Sequence, residues 1–212
     1  LAVEQSRLTV NSMAKTARDN LLRALDLMEH YSDEGMEQVE QTEDLVDRYE
    51  DKLGTYLVKL NTQELDVRQN QNVSKYLHTL SDFERISDHA MNIAEVAQEI
   101  DEKKVSFSEH GDKELRTLGA ALGEILNTAI TAFVEDDIET AYKVEPLEEW
   151  IDVLCDEMKS RHVTRLKDGT CSLSQGFVFN DIITNFERVA DHCSNIAIAM
   201  IELEDNEFDA QG

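Results

Sequence analysis

The chain has 212 residues, 41% of them hydrophobic and 31% charged, so it is long enough and apolar enough to build a core and is not a disordered chain. Twenty basic against 45 acidic residues give a formal net charge of −25, which excludes a nucleic-acid backbone or an anionic lipid surface as partner. The same charge is compatible with attracting cations. One proline, few aromatics and glycines lying mostly between patterned segments favour helices over sheets. Three cysteines, Cys155, Cys171 and Cys193, form no zinc-like spacing and point to a reducing, cytoplasmic compartment. No signal peptide is visible, and no apolar run approaches the ~20 residues that span a bilayer.

Apolar residues at spacings of three and four, from Leu8 through Leu21 and Leu25 to Met28, predict a first helix over roughly 4–30. Tyr31–Gly35 is a turn, and Val39, Val46, Leu53, Leu57 and Leu60 line one face of a second helix. Asn61-Thr-Gln-Glu64 has the form of a capping box opening a long third helix to about Ile100. Ser106-Phe-Ser-Glu109 has the same form for a fourth helix ending near Phe133, where Gly119, Ala120, Ala121 and Gly123 allow close packing. Asp136-Asp137 is expected to begin a fifth helix that ends before Asp168-Gly169. Pro146 belongs to its first turn or to a kink. Ser172-Leu-Ser-Gln175 caps a sixth helix from about Gly176 to Glu204. The expected fold is all-α: two tandem three-helix bundles related by an internal repeat, at 1–104 and 105–212.

The repeat is visible in the residues. Phe83-Glu-Arg-x-x-Asp-His-x-x-Asn-Ile-Ala on the third helix returns at Phe186 on the sixth, at an offset of 103. Glu43-x-x-x-Asp47 on the second helix returns as Glu148-x-x-x-Asp152 on the fifth, at an offset of 105. At 100° per residue, Glu84, Arg85, Asp88, His89 and Asn92 share a polar face opposite Phe83, Ile86, Ala90 and Ile93. Glu187, Arg188, Asp191, His192 and Asn195 repeat that stripe. Two carboxylate stripes facing each other across neighbouring helices form an oxygen-rich groove suited to hard or borderline cations. The competing reading is an Arg–carboxylate network that staples helices without metal. His89 and His192 stand at the edge of the stripe, as ligands or as partners of nearby acids. His30, His78, His110 and His162 read as surface residues, and Cys193 as packing. A ferritin-like di-iron site is disfavoured because it needs Glu-x-x-His pairs, whereas here the Glu-to-His spacing is five. No serine or cysteine stands in an activating context for nucleophilic catalysis.

Together, the tandem triplets, the Glu-x-x-x-Asp pairs and the two Glu-Arg-x-x-Asp-His-x-x-Asn-Ile-Ala stretches resemble the PhoU-domain family along essentially the whole chain. Arg161-His-Val-Thr-Arg-Leu-Lys-Asp-Gly-Thr-Cys-Ser172, followed by Gly176-Phe-Val-Phe, is most similar to the C-terminal PhoU-like domain of bacterial sodium/phosphate cotransporters. The resemblance implies a non-enzymatic regulator of phosphate uptake at the inner face of the cell membrane. Its expected partners are a transporter portion, in the same chain or separate, and a second copy of the chain. It also implies metal ions (Fe, Mn, Mg or Zn) on Glu43, Asp47, Glu84 and Asp88, and on Glu148, Asp152, Glu187 and Asp191, with Arg85 and Arg188 as orienting groups. A free-standing regulator of a phosphate ABC transporter and its sensor kinase is the alternative. Pro146, and Asn185 in place of Asp82, set the second groove apart, so the first is the expected stronger site.

Overall fold

Local side-chain chemistry decides where each helix begins. Ser32 Oγ accepts from Gly35 N at 3.0 Å and opens α1's successor, so the order starts with α1 (Ala2–Glu29) and α2 (Asp33–Asn61). Asp66, not Asn61, caps α3 (Val67–Lys103). Its carboxylate accepts from Gln69 N at 2.7 Å, and Gln69 Oε1 accepts from Asp66 N at 3.1 Å. Asn61 is instead the last residue of α2. Likewise Ser108 rather than Ser106 caps α4 (Glu109–Glu135), taking the Gly111 N–H at 3.0 Å. In both places the cap is a later residue than expected, five positions on for α3 and two for α4.

The computed structural model describes the backbone of residues 1–211 and the side chains of residues 1–205. The expected fifth helix is divided. Asp136 ends α4 in a left-handed conformation (φ 53°), and Asp137 caps a single turn, α5 (Ile138–Ala141). The long helix follows as α6 (Val144–Lys167), with Pro146 in its first turn, where proline's missing donor costs nothing. Gly169, at φ 73°, lies in the turn to α7 (Leu173–Gln211). Ser172 and Gln175 form the expected reciprocal cap, at 3.1 Å and 2.9 Å. Among the described residues every regular element is a helix.

The helices form two three-helix bundles, α1–α2–α3 and α4–α6–α7, joined where α3 packs along α7 and α1 along α4. The apolar halves of the repeated motif build the core: Phe83, Ile86, Ala90 and Ile93 in one bundle and Phe186, Val189, Cys193 and Ile196 in the other are all buried. The core runs between the bundles. Phe133 of α4 meets the edge of Phe83 of α3 with ring centres 4.9 Å apart. Asn20, fully buried in α1, donates to Val39 O on α2 and Ser87 Oγ on α3, both at 3.2 Å, and so fixes the register of the first triplet.

α4 is the one helix among the described residues long and apolar enough to cross a membrane. Half of its apolar stretch is buried, and Leu118, Leu122, Ile125 and Ile130 belong to the core. Its small residues do not enforce close approach. A Cβ on Gly119 would stand 3.8 Å from Phe186, and one on Gly123 4.0 Å from Leu22, which are ordinary contacts.

Candidate metal centre

Both grooves exist. On the first bundle, Glu43 and Asp47 lie one turn apart on α2 and face Glu84 and Asp88, one turn apart on α3. One carboxylate oxygen from each of the four falls within 4.8 Å of all the others. Such convergence is unfavourable without a counter-charge. Partial burial, and then the neighbouring charges of Asp47 and Asp88, push Glu43 up to about 8. Burial, and then Asp88, Glu50 and Asp47, do the same to Glu84. Four converging carboxyl groups on two helices make an oxygen donor set suited to a hard cation, once the protons on Glu43 and Glu84 are displaced.

The sequence reading missed a fifth acid. Glu50, one turn beyond Asp47 on α2, has a buried Oε2 with no hydrogen-bond partner. Burial, and then Asp47, Asp51 and Asp88, raise its pKa. The spacing Asp47-x-x-Glu50 puts it on the Asp47 face, which was the available signal.

The second groove is thinner. Glu148, Asp152 and Asp191 converge within the same 4.8 Å, but Glu187 does not join them. Its Oε2 accepts instead from Lys159 Nζ at 3.1 Å. The reason lies in the repeat. At the offset that matches Glu43 with Glu148, Lys159 stands where the first half has Gly54, and Cys155 stands where it has Glu50. One acid is lost to apolar packing, and another is drawn away by a cation the first groove lacks. Burial, and then Asp152 and Asp191, still push Glu148 up to about 8.

The expected orienting arginines do not hold the carboxylates. Arg85 Nε lies 4.0 Å from Glu84 with 64% of its side chain exposed, and Arg188 is exposed and makes no ion pair among the described residues. Pro146 lies in the first turn of α6, and Asn185 contacts His89 rather than the second groove. Asp82 and Asn185 turn away from their own grooves and cross the α3–α7 contact. Asp82 Oδ1 meets His192 Nδ1, and Asn185 Oδ1 meets His89 Nδ1, each at 2.9 Å. Asn195 Nδ2 donates to Asp82 Oδ1 and Asn92 Nδ2 to Asn185 Oδ1, each at 3.3 Å, while the two imidazoles lie 5.8 Å apart. The polar stripe of the motif therefore splits. Its Glu and Asp face the groove, and its His and Asn join the two halves. Burial, above all, lowers the pKa of His89. Of the histidines read as surface residues, His30, His78 and His110 are exposed, but His162 is buried.

The PhoU domain model matches the chain twice, over residues 10–97 and 115–200. The chain is 26% identical over 199 residues to a phosphate-specific transport system accessory protein PhoU homolog of Thermotoga maritima, covering 92% of this chain and 84% of that one. A PhoU homolog of Clostridium acetobutylicum is 20% identical over 90% of this chain and 87% of its own. The fold matches the crystal structure of PhoU from Pseudomonas aeruginosa with a TM-score of 0.88 at 21% identity, over 97% of this chain and 98% of that one. With the family's domain matched in both halves of the chain, on the same helices that carry the two grooves, this protein belongs to the PhoU domain family.

Proposed function

We propose that this chain is a regulatory accessory protein of phosphate transport, acting by protein contact on a separate transporter and carrying metal ions in its acidic grooves. The observation that carries the reading is the double match to the PhoU domain, together with relatives of similar length named as accessory proteins of phosphate-specific transport systems. Those relatives support the accessory reading over attachment to a sodium/phosphate cotransporter. The transporter works at the membrane, so the proposed place of action is its cytoplasmic face. The relatives named as accessory proteins fit regulation rather than turnover.

The residues present fit a metal. In the first groove, Glu43, Asp47, Glu84 and Asp88 would hold it, with the unpartnered Glu50 oxygen on the same face of α2. A cation there supplies charge neutralisation that the arginines do not. The carboxylates bind and orient the ion from two helices of one bundle, so metal loading stiffens the α2–α3 pair that forms this face.

Deleting the gene in its host and following uptake of radiolabelled phosphate under phosphate-replete conditions tests the regulatory reading. Uptake is expected to rise and to return to normal on re-expression; unchanged uptake would count against it. Co-purification decides the partner. Recovery of a separate transporter subunit supports the proposal, whereas a membrane-spanning portion on the same polypeptide returns the cotransporter reading.

A further inference from the structure

The Arg161–Ser172 stretch takes no part in either groove, yet it is closely built. With the beginnings of α4 and α7 it encloses a cavity of about 220 Å³, small for a ligand site. Ser106, His162, Arg165, Thr170 and Cys171 supply its polar lining, and no carboxylate lines it. In a chain of net charge −25 that is the exception. The polar cavity around Lys75 shows the contrast. Its Arg7 is held by Glu4 at 2.6 Å and its Lys75 by Asp136 at 3.2 Å, so two of its three cations are already answered.

Two side chains in the smaller cavity are left incomplete. His162 is 6% exposed, stacks on Phe179 with ring centres 4.7 Å apart, and makes no well-formed hydrogen bond on either nitrogen, although the Gly176 backbone lies close. Arg165 donates through Nη1 to Glu114 at 3.0 Å, and its guanidinium carbon lies 5.2 Å from the centre of the same Phe179 ring. Its Nη2 is buried and unpartnered. Unsatisfied buried groups of this kind are destabilising, and proteins seldom leave them so. Gly176 makes room for the imidazole: a Cβ there would lie 3.1 Å from His162 Nε2 and 3.0 Å from Leu166. Ser108 and Gly111 bring in the first turn of α4, and Gln175 that of α7, the ends where helix dipoles favour negative charge.

We propose that this cavity binds a small oxyanion, held by Arg165 Nη2 and the His162 imidazole with the Ser106 and Thr170 hydroxyls as further donors. Glu114 serves the site from behind. It takes Arg161 Nε at 2.8 Å and Arg165 Nη1, and so orients the guanidinium without lining the cavity. An anion bound here would tie the α6–α7 turn to the α4 start. Phosphate and carboxylate groups share this chemistry.

The test is calorimetric titration of the chelator-treated protein with inorganic phosphate, sulfate and acetate in turn. Saturable one-to-one binding of at least one anion is expected, and the tightest of the three identifies the head group. Arg165→Gln and His162→Phe are each expected to weaken it by about tenfold or more. His162→Phe keeps the ring stack on Phe179, so it remains informative if loss of the Glu114 pair unfolds Arg165→Gln. Absence of saturable binding with all three anions overturns the proposal. So does affinity that survives both substitutions, or binding that appears only when a divalent metal is added.

Discussion

The two acidic grooves descend from one pattern and end as different sites. The first gathers Glu43, Asp47, Glu84 and Asp88 with Glu50 beside them, whereas the second gathers Glu148, Asp152 and Asp191. Both keep the Glu-x-x-x-Asp pair and the Glu-Arg-x-x-Asp stretch in sequence. What separates them is a neighbour outside either motif: Lys159 takes Glu187, and its counterpart Gly54 has no side chain to do so. A repeated motif thus guarantees a repeated backbone and face, but not a repeated ligand set. A single cation two turns beyond the motif can reassign a carboxylate.

The strongest way to break the comparison is Asp47→Ala/Asp88→Ala. Removing one ligand from each helix should lower metal affinity of the first groove by more than the ~10–100-fold typical of outer-shell changes. Elemental analysis after manganese loading should then show only the ions held by the second groove. Equal metal content in variant and parent would show that the first groove is not a metal site. Lys159→Ala should sharpen the comparison from the other side. Freed from its ion pair, Glu187 can join Glu148, Asp152 and Asp191, and manganese affinity of the second groove should rise about tenfold by titration.

A pH profile follows from carboxylates that both grooves push up. Glu43, Glu84 and Glu148, raised from 4.5 to about 8, hold protons in the folded chain that the unfolded chain has released. Their contribution to stability is therefore full below about 4.5 and is lost as pH climbs towards 8. Melting temperature of the metal-free protein should fall across that window, and manganese should restore it most at the alkaline end, because binding displaces those protons. His89, whose pKa is lowered, acts with the opposite sign, adding stability as pH rises towards 6.5. A melting temperature that rises steadily from pH 6.5 to 8 without metal would contradict the crowding of the grooves.

The smallest effect is expected at the junction of the halves. Asp82→Asn makes the His192 contact an amide contact like that of His89 with Asn185, which should cost about 1 kcal/mol in urea unfolding. It should leave metal content unchanged, because Asp82 faces α7 rather than the groove. Loss of metal on that substitution would put Asp82 back among the groove acids.

The sequence by itself determined the all-helical fold, the pairing of triplets and the face of each helix that enters the core. Periodicity of 3.6 and an exact repeat act locally, so Phe83, Ile86, Phe186 and Val189 could be assigned to the interior residue by residue. It also brought out the groove acids, because four-residue spacing puts Glu43 with Asp47 and Glu84 with Asp88 on one face. Tertiary structure decided the rest. That Asp66 and Ser108, rather than Asn61 and Ser106, start α3 and α4 came from the structure. That His89 and His192 leave the stripe to join the halves depends on α3 meeting α7, through contacts between residues 96 and 110 positions apart. The capture of Glu187 and the burial of His162 were likewise invisible, since Lys159 and Phe179 become their neighbours only when α6 packs on α7. Periodicity assigns a residue to a face; which partner it meets there is set by the packing of the helices.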